Sequence, residues 1–193
     1  MWKRLLKKGR FIYCRNIALM PDKKQKTVQE KTLIVVRHAK SSWEKDVASD
    51  FDRPLNDRGK RDAPEIAEKI FAKGYPIDAF VSSPALRALS TAELFSAAWK
   101  FPLKKIIQIP ELYHASPDTL FRTVESLDDR YETVAVFSHN PGITEFVNLL
   151  LEGMKMDNMP TCGAFAVRAS IGHWSDFRQA EKSFLFFYHP SRH

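Results

Sequence analysis

Leu33-Ile34-Val35-Val36-Arg37-His38-Ala39-Lys40 and Thr133-Val134-Ala135-Val136-Phe137-Ser138-His139-Asn140 share one plan: an unbroken apolar run that delivers a histidine at its end. Runs of this kind, apolar without alternation, mark strands buried on both faces, as in parallel sheets covered by helices. A third such run, Ala79-Phe80-Val81, ends in Ser82-Ser83-Pro84, with Arg87 one helical turn on. In an open parallel sheet the residues just past the carboxyl ends line the ligand crevice, so positions far apart in sequence converge there. The chain therefore offers Arg37, His38, Arg87 and His139 to a single pocket.

Between these runs the pattern alternates as a strand and helix succession should. Asp57-Arg58-Gly59 opens a helix in which Ala63, Ile66, Ala67, Ile70 and Phe71 recur at helical spacing, and Gly74 stops it. Pro84, with a backbone angle suited to a first helical turn, leads a second segment carrying Leu86, Leu89, Leu94 and Phe95 as far as Trp99. Lys105–Ile109 is a short strand candidate. Ser116-Pro117-Asp118 reads as cap, first turn and dipole-favoured acid of a third helix bearing Leu120, Phe121, Val124 and Leu127. Asn140 is placed to cap a fourth, with Ile143, Phe146, Val147 and Leu150. Ala164–Ala169 and Phe184–Tyr188 close the chain as strands. The fold class expected is α/β, three layers, with a mostly parallel central sheet flanked by helices.

With 193 residues and 44% hydrophobic content, one domain with a substantial core is expected. The net charge of +7 would ordinarily point to nucleic acid, but its distribution argues otherwise. Residues 1–31 hold ten Lys and Arg against Asp22 and Glu30, a net of +8, which leaves residues 32–193 at −1. The division expected is a basic, flexible leader over 1–31 and a single domain over 32–193, with no nucleic-acid partner. The leader's apolar stretch Phe11-Ile12-Tyr13-Cys14 is cut by Arg15 and Asn16, so it gives neither a secretory core nor a cleavage site. No run reaches the ~20 apolar residues of a membrane span. A cytoplasmic location follows, with organelle targeting or a weak surface anchor as lesser readings of the leader, and Met20 as an alternative start. Cys14 and Cys162 make neither a disulfide framework nor a zinc site, and Cys162 reads as a small buried thiol rather than a nucleophile.

Arg37-His38, Pro54-Leu55-Asn56-Asp57-Arg58-Gly59, Ser82-Ser83-Pro84-Ala85-Leu86-Arg87 and Ser138-His139-Asn140-Pro141, in this order, resemble the histidine phosphatase superfamily, also called phosphoglycerate mutase-like. Arg37-His38-Ala39-Lys40-Ser41-Ser42-Trp43 and Met159-Pro160-Thr161-Cys162-Gly163 are similar to its small phosphohistidine phosphatase branch. The resemblance implies that His38 is the nucleophile, forming a phosphohistidine that water then cleaves. It implies that Arg37 and Arg87 hold phosphate oxygens, that His139 completes the pocket, and that no metal or other cofactor is needed. Ser41, Asn56, Asn140 and Thr161 join as second-rank candidates to bind substrate, each with a turn or capping duty as the competing explanation. Glu111 is the positional match for an acid that protonates the leaving group, although the phosphohistidine branch is thought to lack one.

Three functions follow. The first is a metal-independent phosphatase acting on a phosphorylated protein, phosphohistidine of a signalling phosphotransfer domain above all. The second is a phosphatase of small phosphomonoesters or of phosphoserine and phosphothreonine. The third, of another class, is a phospho-ligand binding module without turnover.

Overall fold

The structure, a computed structural model, describes residues 29–43 and 49–191. The leader up to residue 28, with Cys14 and Met20, lies outside the described residues. Among the described residues six strands form one sheet: β1 (Glu30–Arg37), β2 (Ala79–Ser82), β3 (Ile107–Gln108), β4 (Thr133–Ser138), β5 (Ala164–Ser170) and β6 (Lys182–Tyr188). Four α-helices are interleaved among these residues: α1 (Asp57–Phe71), α2 (Leu86–Ala98), α3 (Pro117–Glu125) and α4 (Gly142–Leu150). The strand order is β3-β2-β4-β1-β5-β6. β1, β2, β3 and β4 run parallel, while β5 and β6 are antiparallel additions at one side. This is the mostly parallel α/β architecture that the sequence implies.

The sheet has two dry faces because its strand residues divide alternately between two cores. Leu33, Val35, Val134 and Val136 pack with Leu120, Phe121, Val124, Ile143, Phe146 and Val147 of α3 and α4. Ile34, Val36, Phe80, Ala135 and Phe137 pack on the other side with Ala63, Ile66 and Ile70 of α1 and Ala92 and Phe95 of α2. Burying a side chain of this size contributes about 1.5–3 kcal/mol, so both runs are fixed in depth and register.

Local chemistry sets the helix starts. The Asn56 side chain accepts from Gly59 N and caps α1, and the Ser116 side chain accepts from Thr119 N and caps α3. Asn140 does not cap α4 in this way: its Oδ1 accepts from the Thr144 hydroxyl, its Nδ2 donates to Met159 O, and the Asn140–Pro141 peptide bond is cis. α2 also departs from the expected leucine stripe. It buries Arg87, Ala88, Thr91, Ala92, Phe95 and Ser96, while Leu86 stands 40% exposed, because the face turned inward must pass close to α1 and present Arg87 to the strand ends.

β1 begins at Glu30, inside the stretch read as leader. Lys31 is fully buried there, and its ammonium donates to the carbonyls of Asp129 and Tyr131, so a residue counted with the basic tail is part of the sheet. β3 is two residues long because Leu103–Lys105 forms a 3-10 turn where the strand was expected to begin.

Candidate active site

Strand register brings the two histidines together. β1 pairs with β4 in parallel, Arg37 opposite Ser138, so the next residues, His38 and His139, emerge side by side with ring centroids 5.1 Å apart. β2 pairs Ser82 with Phe137, which sets Ser83 one step from the same edge, and its hydroxyl lies 2.8 Å from His139 Nε2. Arg87 enters from the first turn of α2 and places its Nε 3.3 Å from His38 Nε2.

The ring of His38 has a defined tautomer. Its Nδ1 lies 2.8 Å from the carbonyl oxygen of Ala39, which can only accept, so Nδ1 carries the proton and Nε2 keeps its lone pair. Burial pushes the imidazole pKa down to about 3; the Ala39 hydrogen bond opposes this, and the charges of Arg87, Arg37 and Arg53 add to it. His139 is driven down to about 2, first by burial, then by His38, Arg87 and His114, against the opposing charge of Asp50. Both rings are therefore neutral near pH 7, the state in which an imidazole can act as a nucleophile.

These groups open onto a cavity of about 460 Å³, and of the residues singled out from sequence Arg37, His38, Ser41, Arg87, His139, Asn140 and Thr161 line it. Among the described residues, Arg37 Nε and His139 Nδ1 are buried without a hydrogen-bond partner. An unpaired buried polar atom costs about 1–3 kcal/mol, and the free Arg37 Nε–H, beside neutral imidazoles and guanidinium groups, suits an anion's oxygen. Arg37 donates its Nη1 to Met159 O at 2.6 Å, which fixes the guanidinium; burial lowers its pKa.

Two candidates stand elsewhere. Asn56 is occupied with the α1 cap and is absent from the cavity lining. Glu111 sits in the turn Pro110–Leu112 and faces a neighbouring cavity with Ile109, Thr119 and Arg122. Cys162 is buried, its thiol pushed up by that burial, and its backbone N–H is directed at the carbonyls of Arg37 and His38, 3.1 Å from each. It shapes the turn behind His38.

Sequence reasoning missed Asp50, Arg53, Trp43, Lys40 and His114, all of which line the cavity. Asp50 is the hub. Its carboxylate accepts from Arg87 Nη2 at 2.9 Å, Arg53 Nη1 at 2.8 Å and the Tyr113 hydroxyl at 2.9 Å. Burial acts to raise its pKa, but the bonds from Arg53 and Tyr113 and the Arg87 charge outweigh it and hold the carboxyl below its ordinary range. Arg53 also donates to the Ser41 hydroxyl at 2.7 Å and stacks its guanidinium 3.4 Å from the Trp43 ring centroid. Asp50 and Arg53 lie in a loop without periodicity; Arg53 is flagged only by standing next to the Pro54–Gly59 motif.

Among the described residues no group of three or more His, Cys, Asp or Glu is arranged to hold a metal ion, and no helix is long and apolar enough to cross a membrane. The cations around the cavity are side chains.

Two neutral imidazoles at adjacent parallel strand ends, ringed by guanidinium groups, are accompanied by a match of residues 33–116 to the model of the histidine phosphatase superfamily, branch 1. Over those residues, fewer than half of the chain, it is similar to that superfamily. A protein of Mycobacterium leprae with no assigned function is 29% identical over 167 residues, covering 80% of this chain and 99% of its own. Among solved structures, the putative phosphohistidine phosphatase SixA from Agrobacterium tumefaciens superposes with a TM-score of 0.71 at 23% identity, over 83% of this chain and 99% of that one. The protein histidine phosphatase SixA complexed with tungstate gives 0.69 at 21% identity, over 82% and 96%. At these identities the likeness is one of fold.

Proposed function

We propose that this protein is a metal-independent phosphatase of the small phosphohistidine phosphatase branch, working through a phosphorylated His38 and acting on phosphohistidine of a protein. The observation that carries the reading is the His38 tautomer: Nδ1–H is spent on Ala39 O, so the lone pair lies on Nε2, where it accepts from Arg87 Nε–H at 3.3 Å. In this reading Nε2 attacks phosphorus, Arg37 and Arg87 carry equatorial oxygens, and His139 donates to the transferring group. Permanent guanidinium charges serve here as a metal does elsewhere. Asn140, Ser41 and Thr161 shape the pocket wall, with Ser41 acting through Arg53. The catalytic unit is a single domain whose first strand starts at Glu30.

A protein substrate is favoured because the exposed side chains of Trp43 and His114 stand at the cavity's rim, where a bulky partner can approach. A labile P–N bond also asks less of the leaving-group side than an ester does. The shared fold with SixA, whose tungstate complex holds a phosphate-like oxyanion, agrees with this. The test is hydrolysis of a phosphohistidine-bearing protein and of phosphoramidate, each with and without a chelator. Turnover that survives the chelator and vanishes in His38→Ala is expected; full activity in His38→Ala would overturn the assignment. Faster turnover of phosphoserine peptides or small esters than of phosphohistidine would move the substrate to the ester class.

A further inference from the structure

The phosphate end of the cavity is fully furnished, but the side facing solvent, where the rest of a substrate must lie, has no acid from Glu111. The residue that does stand there is His114. It lines the same cavity as His38 and His139, its ring centroid is 6.3 Å from that of His139, and its side chain is 60% exposed. Its backbone is left-handed, with φ of 54°. Such a conformation is uncommon for a residue with a side chain, although histidine is among those that tolerate it, and strain of this kind gathers at sites where a side chain must be aimed.

Two further groups flank the ring. Its Nε2 lies 3.9 Å from Asp50 Oδ2, a carboxylate already held by Arg53 and Tyr113, and the His114 and Tyr113 rings approach to 4.0 Å between centroids. The next residue is locked to the strand end that bears His139: a Cβ on Gly142 would fall inside the Ala115 carbonyl, so the glycine lets this turn lie directly against the start of α4. His114 is thus an exposed imidazole, placed by its backbone and the neighbouring Tyr113 ring on the cavity that His38 and His139 line.

We propose that His114 is the catalytic acid that protonates the leaving group, an inference that rests on the phosphatase reading above. His38 Nε2 forms a bond to phosphorus as the bond from phosphorus to the leaving oxygen or nitrogen breaks, and that atom's electron pair takes the proton from His114 Nε2. His114, now neutral, takes a proton from water as the water oxygen attacks phospho-His38. Inorganic phosphate leaves, His38 regains its lone pair, and both histidines return to their starting states.

The test compares wild type with His114→Asn, whose side chain also tolerates positive φ and donates no proton of this kind, across aryl phosphates of graded leaving-group basicity. General acid catalysis contributes about 100-fold or more. His114→Asn should therefore lower kcat/KM about 100-fold for phenyl phosphate and progressively less as nitro groups make the phenol more acidic. The dependence on leaving-group basicity becomes steeper. In His114→Gly, added imidazole should restore part of the lost phenyl phosphate turnover. An equal loss across the series, or no loss, in a variant with the wild-type unfolding midpoint would overturn the role of His114. If wild type turned over none of the series or the phosphohistidine protein, the phosphatase reading itself would fall; loss of all turnover in His38→Ala keeps the two outcomes distinct.

Discussion

His38 and His139 are neutral in the folded protein well into acid, and this has a consequence for stability. In the unfolded chain an imidazole takes up a proton as pH falls below about 6.5, whereas the folded rings resist until about 3 and about 2. The unfolded state therefore binds more protons throughout that interval, so stability is whole above about 6.5 and declines as pH drops toward about 3. Asp50 acts in the same direction at the acid end, since its carboxyl is depressed and its contribution is lost on protonation. Urea midpoints measured across this interval should fall steadily, and a flat profile would contradict buried, neutral imidazoles. At this scale the sequence made the paired histidines and Arg37 legible, because a residue just past a buried strand has one place to go. Arg87 was legible from its distance behind Ser82–Pro84. Asp50 and His114 were not, because neither sits at a strand end or in a repeating pattern, and their roles come from three-dimensional neighbours: Arg87, Arg53 and Tyr113 for the one, Asp50 and Ala115 for the other. Glu111 shows the reverse failure, a residue of suitable chemistry that the Pro110–Leu112 turn directs into the adjacent cavity.

Elements meet at two glycines that leave no room for a methyl group. Gly59 in α1 lies against the Lys40 backbone two residues after His38, and Gly142 at the start of α4 lies against Ala115. Gly142→Ala should push the Tyr113–Ala115 turn away from His139, lowering kcat/KM for every substrate at least tenfold and destabilising the fold by about 1–3 kcal/mol as overpacking does. Activity and unfolding midpoints measured together check this, and a fully active, equally stable variant would contradict the close approach. β1 and β4 were readable because burial on both faces removes alternation and leaves a plain apolar run. The Ser116 cap was readable because its side-chain chemistry is local. α2 was less so: its leucines look like a core stripe, yet Arg87, Ala88, Thr91 and Ala92 face inward, since small residues permit the close packing on α1 that carries Arg87 to His38. Asn140 was assigned to a local cap and instead ties the strand end to Thr144 and Met159, contacts that no local pattern encodes.

For the whole molecule, the order β3-β2-β4-β1 sets the carboxyl ends of four parallel strands along one edge, and every cavity residue comes from those ends or from the segments that follow them, apart from Thr161 just before β5. The antiparallel β5 and β6 extend the sheet beyond β1. Between β5 and the preceding α4, the turn at Met159–Gly163 supplies the carbonyl that holds Arg37 and the backbone N–H that supports the strand end at His38. One architecture thus delivers two neutral imidazoles, their cationic surround and the exposed His114 to a single opening, and the proposed function stands on His38 as the nucleophile. Rapid mixing with a phosphohistidine protein or phosphoramidate, quenching without acid, and mass spectrometric mapping of the bound phosphate test it most directly. A base-stable, acid-labile phosphate on His38, absent from His38→Ala, is the predicted result; turnover with no phosphate on His38, or with phosphate mapped to His139 or His114, would contradict it.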